Sequence, residues 1–427
     1  MIIFKNATIV DPKSEFTGKR DLAVSDGKIA EIREEIQPNK MDTVIDCTGK
    51  YIGPGLVDAH VHFRDPGFTY KEDIASGSIA AAKGGYTSVI LMANTKPPVD
   101  NEETLTYVLK KGANTGIHVY SCANITKGMK GEQLTDFAAL KAAGACGFTD
   151  DGIPLLNEEI VRLAMEKAVE TDSVLSFHEE DPAYIENNGI NHGKASKHFQ
   201  IGGSDRQAEI MMVKRDLKLA LETGAKVNFQ HISSKEAVAF IREAKKEKAG
   251  QNIHAEATPH HIALTEDAAV LYGTLGKMNP PLREEEDRQA ILEGLADGTI
   301  DLIATDHAPH SEEEKSRPIT EAPSGILGLE TSFSVANEKL VDCQILTILQ
   351  LFCKMSYNPS RLYGINAGYL AKGGPADLIV VDLDKTWRIE KFSSKSQNSP
   401  FKNIPLKGKV ELTMCNGSII WNDLGRN

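Results

Sequence analysis

The sequence predicts an α/β protein, a (β/α)8 TIM-type barrel carrying a small β-sandwich built from both chain termini. Three observations lead there. Between residues 53 and 367, eight apolar, strand-like runs alternate with helix-like segments, the count of a closed eight-fold barrel. Both ends of the chain are β-rich and too short to fold comfortably alone, so they are expected to pair with each other. Five of the eight runs terminate in histidine or aspartate, and on such a barrel the carboxyl ends of the strands share one mouth.

Taken in order, residues 1–52 read as a β unit. Ile2 to Val10 is strand-like and closes at Asp11-Pro12, and Ser25-Asp26-Gly27 between two short runs is a hairpin signal. The barrel strands are expected at 56–62, 87–93, 117–123, 146–149, 173–177, 226–231, 253–257 and 300–305. Helices are expected at 71–83, 102–111, 132–143, 158–171, 206–223, 235–248, 284–297 and 343–355. Residues 368–427 return to strand, from Ala376 to Asp382 and on either side of the turn Asn416-Gly417, completing the composite β domain. The methionines of 206–223 fit core filling, and Lys245-Lys246-Glu247-Lys248 fits a solvated helix end. The loops 178–205 and 307–330 are long enough to carry function, and 307–325, without an apolar run, is expected to be a mobile lid.

Composition narrows the function classes. A formal net charge of -12 argues against nucleic acid and anionic membrane as partners, while leaving room for an anionic substrate in a pocket with its own cations. Six cysteines are scattered without a Cys-x-x-Cys, the usage of a reducing compartment. The start, Met1-Ile2-Ile3-Phe4-Lys5-Asn6, lacks the plan of a signal peptide, and no apolar run reaches membrane length. The expectation is a soluble, cytoplasmic protein.

The chemistry gathers at the strand ends. In Val57-Asp58-Ala59-His60-Val61-His62, strand alternation sends His60 and His62 to one face, able to take two adjacent positions on one metal ion, and Asp58 to the other. A lone His-x-His would be two ordinary histidines. Asp150-Asp151 ends the fourth run, His178 the fifth, His231 the sixth and Asp306 the eighth. Four histidines and two aspartates suit two divalent ions with a bridging carboxylate. A bound ion brings the pKa of its water toward neutrality, and Asp306 would hold one ion, take that water's proton and pass it to the departing nitrogen. His260 and His261 are expected beside the site or in packing, and His118, His192, His198 and His254 have no spacing that recommends them.

These residues also carry a resemblance. His60-Val61-His62 with Thr305-Asp306-His307-Ala308-Pro309-His310 resembles the amidohydrolase superfamily. Within it, His62-Phe63-Arg64-Asp65-Pro66-Gly67, Met92-Ala93-Asn94-Thr95, Phe148-Thr149-Asp150-Asp151-Gly152 and Met278-Asn279-Pro280-Pro281-Leu282 together resemble class I dihydroorotase, over nearly the whole chain. The resemblance implies reversible cyclisation of N-carbamoyl-L-aspartate to L-dihydroorotate, in pyrimidine synthesis. It implies one zinc on His60, His62 and Asp306, a second on His178 and His231, and Asp151 as the bridge. It places His62, Arg64, Asn94, Asn279, His310 and the pair Ser324-Gly325 on the substrate. Arg64 offers a planar fork suited to a carboxylate.

Members often carry Phe-Gly where this chain has Ser324-Gly325, a local departure. An aspartate bridge is shorter than the carbamylated lysine of other relatives, so the second zinc site is expected to be partly empty. A dimer and an association with aspartate transcarbamoylase are expected partners. The competing readings are another cyclic amidase, of allantoinase or dihydropyrimidinase type, and a metal-free scaffold homologue. The first needs a lysine that the fourth strand end lacks, and the second would have lost ligands that are all present here.

Overall fold

A computed structural model describes residues 1–425. The N-terminal strands are β1 (Ile2–Asp11), β2 (Phe16–Ser25), β3 (Lys28–Arg33), β4 (Thr43–Asp46) and β5 (Tyr51–Pro54). The barrel strands are β6 (Leu56–Val61), β7 (Tyr86–Leu91), β8 (His118–Ser121), β9 (Val174–Phe177), β10 (Lys226–Phe229), β11 (Ile253–Ala257) and β12 (Leu302–Ile303). The chain returns through β13 (Leu378–Trp387), β14 (Leu406–Cys415) and β15 (Ser418–Asn422).

Both chain ends join one eight-stranded sheet in the order β15-β14-β13-β5-β1-β2-β3, with β4 beside β1. The seam between the ends is β5 against β13, antiparallel, with Ile52 opposite Val380. Both hairpins turn where expected. Asp26 and Gly27 have φ of 52° and 75°, and Asn416 and Gly417 have 49° and 73°, the left-handed pair that a two-residue turn requires. The two tips touch, since a Cβ on Gly417 would lie 2.8 Å from the Gly27 Cα. Edge strand β3 meets the segment leading into β13 through Ile29 N–H donating to Gly374 O at 3.0 Å. The sheet thus folds over a core of Phe4, Ile9, Leu22 and Ile29 from one terminus with Leu378, Val380, Leu412 and Met414 from the other.

In the barrel, β6-β7-β8 and β9-β10-β11-β12 form two parallel ladders. Single bridges join them edge to edge: Ala123 to Phe148 to Leu175 on one side, and Val61 to His307 on the other. The fourth run is therefore represented by Phe148 alone, held to β9 through Phe148 N–H to Val174 O and Ser176 N–H to Phe148 O, and on its other flank through Thr149 N–H to Ala123 O, each 2.9 Å. The eighth run is shorter than expected because Thr305 N–H donates to the Asp58 carboxylate and Asp306 turns left-handed, φ 45°. Barrel strands β6, β7 and β9 are buried along their whole length, as parallel strands covered on both faces must be.

Seven helices occupy their predicted places, with ends set by caps. Asp73 caps the helix Ile74–Lys83 by accepting from Ser76 N–H, and Asp136 starts Phe137–Ala142 by accepting from Ala139 N–H, which trims the two predicted N-termini. The predicted helix 343–355 differs. A Thr347 cap starts it at Ile348, it continues to Leu362, and an unpredicted helix from Ser332 to Val341 precedes it. Among the described residues, no helix is long and apolar enough to cross a membrane.

Two connections between the barrel and the terminal sheet bear on the site. On the barrel floor, His118 at the start of β8 meets Asp377 just before β13, Nε2 to Oδ2 3.0 Å. At the mouth, the segment 388–405 between β13 and β14 leaves the sheet and lies across the barrel loops. There the Lys395 ammonium meets Asp73 at 2.6 Å, Ser396 Oγ donates to Lys71 O at 2.8 Å, and Ser394 Oγ bonds Glu72.

Candidate active site

The strand ends converge as predicted. Strand β6 delivers His60 and His62 to the same side, with ring centroids 5.3 Å apart. His60 Nε2 lies 3.4 Å from Asp151 Oδ1 and 3.5 Å from Asp306 Oδ1, and His62 Nε2 lies 3.0 Å from Asp306 Oδ1 and 3.4 Å from Asp151 Oδ2. From the other side, His178 Nδ1 and His231 Nε2 lie 3.8 and 3.7 Å from Asp151 Oδ1 and 3.0 Å from each other. Asp151 is thus common to two triads, one with His60 and His62, the other with His178 and His231, while Asp306 groups with His60 and His231.

The outer nitrogens decide which way the histidines face. His60 Nδ1 sits 2.6 Å from Glu256 Oε1, His62 Nδ1 3.0 Å from Asn94 Oδ1 and His178 Nε2 3.2 Å from Glu180 Oε2. For His60 and His62 the partner oxygen accepts, so the outer nitrogen carries a proton and the inner one would be left to ligate a bound metal. His60 Nε2 is buried without a hydrogen-bond partner, aimed at the two aspartates. Burial alone would raise the Asp151 and Asp306 carboxyls, but the surrounding imidazoles hold both well below the usual carboxylate range. Inward-facing imidazole nitrogens around two carboxylates form a nitrogen and oxygen donor set that fits zinc or another borderline divalent ion, whose binding would displace the inner protons. The backbone is bent to achieve this: Arg64, His231 and Asp306 hold φ of 57°, 31° and 45°.

Above these groups lies a cavity of about 300 Å³, walled by His62, Arg64, Asn94, Asp151, His178, His231, Asn279, Asp306, His310 and Ser324, among others. The predicted substrate contacts therefore stand around one space. Arg64 sets its fork beside one nitrogen of the His310 ring, NH2 to Nε2 3.4 Å, and Lys71 approaches the other, Nζ to Nδ1 3.4 Å. Burial, then the charges of Arg64 and Lys71, push His310 far below the ordinary histidine value, so the imidazole is neutral. Asn279 Oδ1 and Ser324 Oγ are buried without partners, polar atoms left for something in the cavity. Gly325 is not on the wall itself. It lies against it at φ 152°, where a Cβ would come within 2.9 Å of His310 Nε2.

The whole-chain comparisons agree with this geometry. A family model described as "Dihydro-orotase-like" matches residues 49–237. The dihydroorotase of Clostridioides difficile (strain 630) is 51% identical over 422 residues, 99% of this chain and 100% of the relative. The chain belongs to the dihydroorotase family. Further dihydroorotases, from Clostridium acetobutylicum and Streptococcus thermophilus, are each 47% identical over 99% of this chain and 100% of their own lengths. Among solved structures, L-hydantoinase from Arthrobacter aurescens is similar with a TM-score of 0.88 at 26% identity, covering 99% of this chain and 96% of that one. A D-hydantoinase at TM-score 0.85 and 21% identity shows the same fold, covering 99% and 95%. The structural neighbours place the chain in the amidohydrolase superfamily.

As a dihydroorotase-family site, it contains residues that the sequence reasoning missed. One is Glu256, a buried carboxylate inside the strand Ile253–Ala257. It binds His60, accepts from His231 N–H at 3.3 Å and takes the Asn228 amide at 2.9 Å. Asp150, beside the bridge candidate, turns its carboxylate to the loop at Asn124–Thr126, accepting from the backbone N–H of Ile125 at 2.9 Å. His261 packs as expected, bonded to Pro280 O at 3.1 Å, and burial holds His260 down to about 3. The stretch 307–325, expected as a mobile lid, carries its own fastenings. The Lys315 ammonium donates to Pro323 O and Gly325 O at 3.0 and 3.1 Å, and Lys277 donates to Ile319 O and Ala322 O at 2.7 Å each.

Proposed function

We propose that this chain is a zinc-dependent dihydroorotase of the cytoplasm, interconverting N-carbamoyl-L-aspartate and L-dihydroorotate. The observation that carries the reading is the juxtaposition in one cavity of an imidazole–carboxylate cluster on the floor and the Arg64–His310 pair on the wall. His60, His62 and Asp306 would hold one ion, His178 and His231 the other, and Asp151 would bridge them. A bound divalent pair polarises water and the scissile carbonyl. Asp306, the eighth-strand carboxylate facing the cavity, would take a proton from the attacking water and hand it to the departing ring nitrogen during ring opening, and in closure would take that proton from the attacking nitrogen and return it to the departing oxygen. Arg64 and Asn279, with the neutral His310 ring, orient the substrate carboxylate, and the walls exclude water from the reacting amide.

The bridge distinguishes this site from one built on carbamylated lysine. Asp151 reaches both histidine pairs directly, and two cations at such range need an anion between them. Metal-stripped protein should therefore regain activity on adding zinc in buffer freed of carbon dioxide, with the second site the slower to fill. A requirement for bicarbonate would remove Asp151 from that role. The function itself is tested by following dihydroorotate in the ultraviolet in both directions, with allantoin and dihydrouracil as controls. Turnover of a control in preference to dihydroorotate would move the chain to another cyclic amidase.

A further inference from the structure

Resting on that reading, we propose that Asn398 is a positioning residue for the carboxylate grip, delivered to the barrel mouth by the terminal sheet. It lies on the 388–405 segment and is 2% exposed. Its Nδ2 donates to Ala308 O at 2.9 Å and Gly325 O at 3.0 Å, and its Oδ1 accepts from His310 N–H at 3.1 Å. Its backbone carbonyl accepts from Leu327 N–H at 2.9 Å. Both amide hydrogens are used, and one side chain spans two segments of the same loop.

Those segments run side by side only briefly. His307 pairs with Ile326, and Ala308 N–H donates to Ile326 O at 3.1 Å. Beyond that point they part around the cavity, one toward His310 and the other toward Ser324. Asn398 stands where the ladder stops and does the ladder's work. The His310 ring rests against Gly325, so the separation that Asn398 sets is the separation that seats the ring beside Arg64. The cluster on the floor is tied differently, through His62 N–H to His307 O at 2.9 Å and Thr305 N–H to Asp58. Loosening Asn398 should weaken substrate binding and leave the reacting groups in place.

Asn398→Asp keeps the shape and the acceptor to His310 but turns a carboxylate oxygen toward two carbonyl oxygens. Asn398→Ser shortens the side chain and stays neutral, which guards against a misfolded aspartate variant. Lys395→Ala is the control, because Lys395 lies on the same segment and the ammonium it removes bonds Thr69 O and Asp73, away from the His310 and Gly325 segments. Steady-state kinetics on dihydroorotate, with bound metal measured alongside, should show KM raised by about tenfold or more in both Asn398 variants. In the same assays kcat should stay within about threefold of wild type, and Lys395→Ala should be unchanged in KM. An unmoved KM, an equal rise in Lys395→Ala, or losses of kcat and metal without a change in KM would each overturn the proposal. A wild-type protein inactive on dihydroorotate fails the functional reading instead.

Discussion

At the residue scale, the outer bonds of the histidines are as consequential as the histidines. Glu256→Gln keeps the volume of the side chain and an oxygen for His60 and the His231 amide, but it removes the charge behind His60 and turns Nε2 hydrogens toward the Asn228 amide, which needs an acceptor. Metal affinity and activity should fall together by about ten- to a hundredfold, read by metal content after dialysis and by turnover. Retained metal with retained activity would mean that Glu256 only fills space. Asp306→Asn keeps an oxygen toward the cluster but cannot accept a proton. Both directions should collapse together, and slowing of one direction alone, at matched pH with metal still bound, would remove Asp306 from the proton path. The histidines were legible because strand alternation and strand ends are local properties. Glu256 and Asn398 were not, because each acts on a residue far away in the chain, and nothing local to Asn398 distinguishes it from any asparagine of a polar stretch.

At the element scale, the loop 307–325 shows how polar sequence misleads. Its lack of apolar residues suggested mobility, yet a capped turn at Glu312–Lys315 and two buried ammoniums hold it. Burial, and then the neighbouring Lys277, push Lys315 down to about 7, a measure of how far from water it sits. Lys315→Met fills the same space and strands two buried carbonyls, at a cost of about 1–3 kcal/mol. Limited proteolysis of the free enzyme should then cut within 307–325 markedly faster than in wild type. Equal cleavage rates would show that Lys277 suffices alone. Helix starts at Asp73 and Asp136 were readable a few residues late, as caps, whereas the helix from Ser332 was hidden because Ser332 to Ala336 is buried all round and shows no amphipathic period.

At the scale of the whole molecule, one ion pair joins the barrel floor to the terminal sheet. The hydrogen bond to Asp377 raises His118 above its ordinary value, against the opposing effect of burial. Stability from this pair is fully present below the unfolded histidine pKa, near about 6.5, and is lost as pH rises through the raised folded value. His118→Asn should therefore lower the unfolding free energy at pH 6 by about 0.5 kcal/mol, the size of a partly screened pair, with the difference gone by pH 9. Denaturant midpoints at the two pH values measure it, and a difference independent of pH would assign the effect to packing. The barrel and the pairing of the two termini were legible from alternation and hairpin signals. The crossing of 388–405 onto the mouth was not, since a polar segment between two strands carries no mark of what it covers.

The closure of the ring at Val61 and His307 has a consequence in time. His60 and His62 are made early, and the strand that seals them beside Asp306 follows some two hundred and forty residues later. At a translation rate of about 5–20 residues per second, the first strand waits on the order of ten to fifty seconds for its neighbour. The N-terminal strands wait longer still for β13, although β1, β2 and β3 can pair among themselves meanwhile. Through that interval the strand that carries the two histidines has an unpaired edge, open to pairing with another chain. The exposed moment falls during synthesis, before the last barrel strand exists.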